Sequence, residues 1–277
     1  MNLKYFFFLC LMSLSAHASF PENELRIPVG QKSNGGISEL EFHQVIDQVM
    51  KIYAPKVENL GGTLNISRSW QSDKVNASTN RFAHVYQVNM FGGMARHPYM
   101  TRDGFTLVLC HELGHHLGGA PKVKNPEQRW ASNEGQSDYW AVLKCLREVF
   151  KDQDNATILN EMIVPELVSK SCQGIYPNQE ENLICQRSLM ASLVIGKLYA
   201  SLVDQNPPQF ETPSAKIVRQ TSDHHPHFQC RLDTFYQGSL CDRPLDGELS
   251  NQDASVGTCY SGSGDSIGFR PTCWFKE

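Results

Sequence analysis

The chain has 277 residues, with 25 Lys plus Arg against 29 Asp plus Glu and a net charge of -4. Hydrophobic residues make up 40% and charged residues 19%, the balance of a folded globular chain, which excludes a disordered or collagen-like protein. No basic excess is available to neutralise phosphates, so nucleic acid is not an expected partner.

Residues 1–18 read as a secretory signal. Lys4 supplies the positive start, Tyr5 to Leu14 the short apolar core, and Ala16-His17-Ala18 the small-x-small rule for cleavage before Ser19. The apolar run is short for a membrane span. No later run reads as one, so the chain is expected in the periplasm or secreted, with no span after cleavage. Removing Cys10 leaves eight of the nine cysteines, an even number that suits four disulfides in an oxidising compartment. Cys172–Cys185, Cys230–Cys241 and Cys259–Cys273 are the local candidates, and Cys110–Cys145 would join two helices. Sequence alone does not choose among the pairings.

Further along, Ile37, Leu40, Val45, Val49 and Tyr53 share a helical side, and Gly61-Gly62 stops that helix. Thr63–Trp70 and Ala83–Phe91 read as strands, with turns at Ser72-Asp73 and Ser78 to Asn80 between them. Thr101-Arg102-Asp103 caps a helix running to about Leu117, closed by Gly118-Gly119 and Pro121. A helix is expected over 133–150, others over 156–170 and 181–203, and a short one within 226–241. From Asp242 the chain is Gly- and Cys-rich without periodicity and reads as a disulfide-held appendage. The expected layout is a signal over 1–18, one domain over 19–241 and a tail over 242–277. The expected fold class is α+β, mainly helical, with a small β-sheet before the helix that carries residues 111–115.

The chemistry concentrates at 111–138. His111-Glu112-Leu113-Gly114-His115 places two imidazoles at i and i+4, on one helix face, where both can bind one metal ion. Glu112 lies near that face and can take a proton from an activated water. A catalytic zinc site needs a third protein ligand and an open position. The continuation resembles the HExxHxxGxxH pattern, but the position for its third histidine is Pro121, which cannot ligate. Glu134 is the remaining candidate, separated from His115 by eighteen residues that form a connector. Asp138 follows Glu134 by one turn on the same face, and can accept the second ring hydrogen of a liganding histidine, His111 first of all.

HExxH followed by Asn133-Glu134-Gly135-Gln136-Ser137-Asp138 resembles the gluzincins, the thermolysin-like zinc peptidases. Further segments are similar to the M48 family, which includes the Ste24-like and periplasmic BepA-like peptidases. They are Val75-Asn76-Ala77, Phe91-Gly92-Gly93, Asp103, and the distal His225-Pro226-His227-Phe228-Gln229-Cys230-Arg231-Leu232. The likeness covers about residues 40–235. It departs in Ser137, which replaces the family's alanine, in the many cysteines, in the tail, and in the lack of later spans. The resemblance implies a zincin-like fold with Zn²⁺ on His111, His115 and Glu134 and Glu112 as general base. It implies that His225 stabilises the oxyanion, and that Arg231 orients the site or the third-ligand helix. Val88, Asn89, Met90, Phe91 and Gly92 would bind substrate backbone by edge pairing, although the same residues suit a plain strand end. The expected activity is zinc-dependent endopeptidase cleavage of exported or cell-envelope polypeptides. The rival expectations are a non-peptidase metal hydrolase and a non-catalytic, zinc-stabilised or chaperone-like binding module of the envelope. Oligomeric state has no sequence signal.

Overall fold

The computed structural model describes residues 17–31 and 35–277; the signal expected over 1–18 lies outside them except for its last two residues. Those two form a short strand, β1 (His17–Ala18). Helix α1 (Glu39–Asn59) starts in a capping box: Ser38 Oγ accepts from Glu41 N, and Glu41 Oε2 accepts from Ser38 N at 2.8 Å. Its apolar stripe, Phe42, Val45, Ile46, Val49 and Tyr53, is buried.

Strands β2 (Thr63–Ser69), β3 (Ala77–Phe82) and β4 (Val85–Phe91) complete a four-stranded sheet in the order β1-β3-β4-β2. β2 runs parallel to β4, whereas β3 is antiparallel to both β4 and β1. The turn expected over Ser78 to Asn80 is therefore strand, and the reversal falls at Ala83-His84, with Ala83 at φ 50°. The Ser/Thr/Asn content suggested a turn. Here those groups find partners inside the sheet: Thr79 Oγ1 donates to Gln87 O at 2.7 Å, and Asn89 Nδ2 donates to Ser78 Oγ at 3.2 Å.

A single turn, α2 (Gly92–Ala95), leads to α3 (Arg102–Leu117), which Thr101 caps by accepting from Gly104 N. α3 is buried on every side from Asp103 to His116, as expected of a helix without a polar face. Its carboxylate at the N-terminus, Asp103, is met bidentately by Arg187 at 2.7 and 2.6 Å. Beyond it come α4 (Glu134–Trp140), a π-helical turn at Ala141–Cys145, and α5 (Leu146–Phe150), so the helix expected over 133–150 is continuous but locally widened. The helix expected over 156–170 is two, α6 (Asn155–Asn160) and α7 (Glu166–Ile175), separated where Pro165 withholds an N–H. α8 (Gln179–Leu202) and α9 (Phe228–Ser239) follow. The class is α+β.

Four disulfides are formed: Cys110–Cys145, Cys172–Cys185, Cys230–Cys273 and Cys241–Cys259. Two follow expectation. The local pairs Cys230–Cys241 and Cys259–Cys273 are exchanged for longer closures, because the tail doubles back to bury Trp274 beside α9. Such a framework fits an oxidising, extracytoplasmic compartment. Among the described residues no helix is long and apolar enough to cross a membrane.

Candidate metal centre

α3 and α4 build the centre between them. Their close approach needs Gly114: a Cβ there would lie 2.8 Å from the Ser137 carbonyl oxygen. α3 presents His111 and His115 on one face, and α4 presents Glu134 from its first turn, capped by Asn133, whose Oδ1 accepts from Gln136 N at 3.0 Å. His111 Nε2 lies 3.3 Å from Glu134 Oε2 and His115 Nε2 lies 3.7 Å from Glu134 Oε1. One ligand atom from each of the three residues falls within 4.8 Å of the other two, and all three residues are buried.

The outer nitrogens of both rings are already committed. His111 Nδ1 donates to Asp138 Oδ1 at 2.7 Å, and His115 Nδ1 donates to Ser132 O at 2.8 Å. In neutral rings this turns both Nε2 lone pairs towards the Glu134 carboxylate. His111 Nε2, fully buried, makes no hydrogen bond. Two imidazole nitrogens and a carboxylate oxygen converging in a buried site suit a cation. The local field agrees. Burial opposes a charge on His111, but Asp138 and Glu134 outweigh it and lift the ring to about 9; the free ring therefore holds a proton at neutral pH, and a metal ion on Nε2 would take that proton's place. The three residues fit a metal ion.

Asp138 also receives Arg231 from α9, with Nε at 2.8 Å and Nη2 at 2.6 Å. Arg231 thus bears on the third-ligand helix through Asp138, and its Nη1 donates to Ser19 O. Glu112 is wholly buried, and burial pushes its carboxyl up to about 8, against the pull of His111 and Ser19. Its Oε1 accepts from Ser19 Oγ, whereas Oε2 makes no hydrogen bond. His225 stands at the rim, its Nε2 3.5 Å from Glu134 Oε1 and 2.6 Å from Ala18 O.

The expected substrate strand does not fit edge pairing. β4 is an inner strand, bonded to β3 on one side and β2 on the other. Val88, Met90 and Gly92 are buried, and Asn89 spends its amide on Ser78 Oγ and Asn80 Oδ1. The strand with an outer edge beside the centre is β3, and residues 17–18 pair with it.

Several contributors had no sequence signature. Ser132 acts through a main-chain carbonyl. Ser137 Oγ lies 3.0 Å from His115 Nδ1, a role its place one turn after Asn133 could have suggested. His116, adjacent to the motif, meets Thr79 Oγ1 at 2.7 Å and stacks on Trp130, tying α3 to the sheet. No protein-family model, curated protein or solved structure matches the chain.

Proposed function

We propose that the chain is a zinc-dependent endopeptidase with a zincin-like fold, acting on exported or cell-envelope polypeptides in the periplasm or outside the cell. The observation that carries this reading is the convergence of His111, His115 and Glu134 beside a buried carboxylate, Glu112, that is no part of the ligand set. Zn²⁺ held by these three residues would supply Lewis acidity, lowering the pKa of a water and polarising the scissile carbonyl. Glu112 takes the water's proton and passes it to the leaving nitrogen. His225 Nε2 donates to the carbonyl oxygen as negative charge develops on it. Asp138 fixes the tautomer and orientation of His111, and Arg231 holds Asp138.

A purely structural zinc site carries four protein ligands, whereas this cluster offers three among the described residues. That difference favours hydrolysis over the binding module. The test is Glu112→Gln. Zinc content should stay stoichiometric while cleavage of an unfolded protein falls about 10²- to 10⁴-fold, the usual share of a general base. Zinc bound with no cleavage by the unmodified chain would favour the binding module, and hydrolysis of esters or other small molecules alone would favour the non-peptidase hydrolase. Zinc held by residues other than His111, His115 and Glu134 would remove the site itself.

A further inference from the structure

The outer edge of β3 is filled by the chain itself. Residues 17–18 pair antiparallel with it, His17 opposite Thr79 and Ala18 opposite Ser78, and Ser19 N continues the ladder to Ala77 O at 3.1 Å. Asn76 then brackets the next residue from both sides: Phe20 N donates to Asn76 Oδ1 at 3.1 Å, and Asn76 Nδ2 donates to Phe20 O at 3.0 Å. These contacts are to main-chain atoms, so they would hold an extended peptide of any sequence.

Along this line the groups proposed to act on a substrate each meet a group of the Ala18–Ser19 linkage or its neighbour. The Ala18 carbonyl oxygen accepts from His225 Nε2. Ser19 Oγ donates to Glu112 Oε1, and Ser19 O accepts from Arg231 Nη1. Ser19 and Phe20 are 1% and 0% exposed. The Phe20 ring lies 5.7 Å from the Tyr199 ring and 5.7 Å from the Arg231 guanidinium, inside an aromatic recess that Phe228 extends.

We propose that residues 17–20 are an intramolecular, substrate-like occupant of the cleft, and that they display the register and preference of the polypeptides the site takes. The scissile carbonyl occupies the place of Ala18 O, a small side chain precedes the cut bond, and an aromatic side chain enters the Tyr199 recess two residues beyond it. This rests on the peptidase reading. The bond displayed, Ala18–Ser19, is also the one the small-x-small rule marks for removal of the signal. Cleavage there leaves Ser19 and Phe20 in place, so the far half of the cleft stays covered by the chain's own start. An incoming polypeptide must displace it.

The test is a binding measurement, so it does not depend on turnover. A fluorescein-labelled peptide carrying the sequence of residues 15–23 is titrated into the exported chain bearing Glu112→Gln, with and without Phe20→Ala, and followed by anisotropy. Phe20→Ala weakens the internal occupant, so the peptide should bind the double variant about tenfold more tightly than its parent. A peptide with Glu in place of its Phe should bind neither. Where Phe20→Ala does not fold, Ser19→Arg serves: Ser19 is buried with its hydroxyl on residue 112, so the long side chain cannot be held there, and no apolar side chain is removed. Equal affinity for parent and variant, or no binding to either, overturns the proposal. The two readings separate cleanly. Peptide binding as expected, with no cleavage by any chain that retains Glu112, keeps the occupant and removes the peptidase. Cleavage at equal rates with and without Phe20→Ala, and no peptide binding, does the reverse.

Discussion

Asp138 is wholly buried and accepts three hydrogen bonds, one from His111 and two from Arg231. Asp138→Asn keeps its shape and removes its charge. The Arg231 guanidinium is then buried without its counter-ion, which costs about 3–5 kcal/mol, and metal affinity should fall about 10- to 100-fold as His111 loses the charge of its partner. Thermal unfolding and competition with a chelator measure the two effects. An unchanged metal affinity would show that Asp138 does not govern how His111 binds. The candidate ligands and Asp138 were legible in the sequence because helical spacing puts each pair, 111 with 115 and 134 with 138, on a common face, and because Pro121 could not ligate and the resemblance joined the two pairs. The groups that complete the centre were not. The Ser132 carbonyl is main chain, and Ser19 arrives through strand pairing across 93 residues to Glu112, which no local pattern records.

Between the two ligand helices the principal covalent tie is Cys110–Cys145, next to His111 on α3 and in the π-helical turn that continues α4. It closes a span of 35 residues, so replacing both cysteines by alanine should cost about 4 kcal/mol. Its larger consequence is geometric. His111 and Glu134 sit on opposite sides of this tie, and the double variant should bind metal more weakly even under conditions where it remains folded. Denaturant titration and chelator competition read the two effects. An unaltered unfolding midpoint would mean that packing alone joins the helices. The elements themselves were legible where periodicity is strong, as in α1, or where a cap and glycine stops mark the ends, as in α3. β3 was not, because Ser78, Thr79 and Asn80 carry turn-forming side chains and their partners, on β4 and on His116, are distant in sequence or joined only by the fold. The π-helical turn was also invisible: it keeps a helix's pattern while shifting its register.

The tail, expected as an appendage, is packed as part of the molecule. Trp274 is wholly buried, its Nε1 donates to Thr234 Oγ1 at 2.9 Å, and its ring covers Gly135, where a Cβ would come within 2.2 Å of the indole. Arg270 Nε donates to Gln136 Oε1 at 2.6 Å, and Tyr139 on α4 donates to Gly268 O at 2.6 Å. Each of these contacts bears on α4, the helix that carries Glu134 and Asp138. Composition could not show this, because a Gly- and Cys-rich stretch without periodicity looks the same whether it hangs free or is folded back. The consequence is a coupling between tail packing and metal binding. Trp274→Ala should destabilise the fold by about 3–5 kcal/mol, as loss of a buried aromatic does, and should also weaken metal binding in the folded chain, since α4 loses its outer support. Val49→Ala, at an equally buried position on α1 away from the centre, should lower stability by about 1–3 kcal/mol and leave metal affinity unchanged. Measuring unfolding and chelator competition for both variants separates a general loss of stability from a specific effect on the centre. If Trp274→Ala behaves like Val49→Ala, the tail secures the fold without setting the position of Glu134.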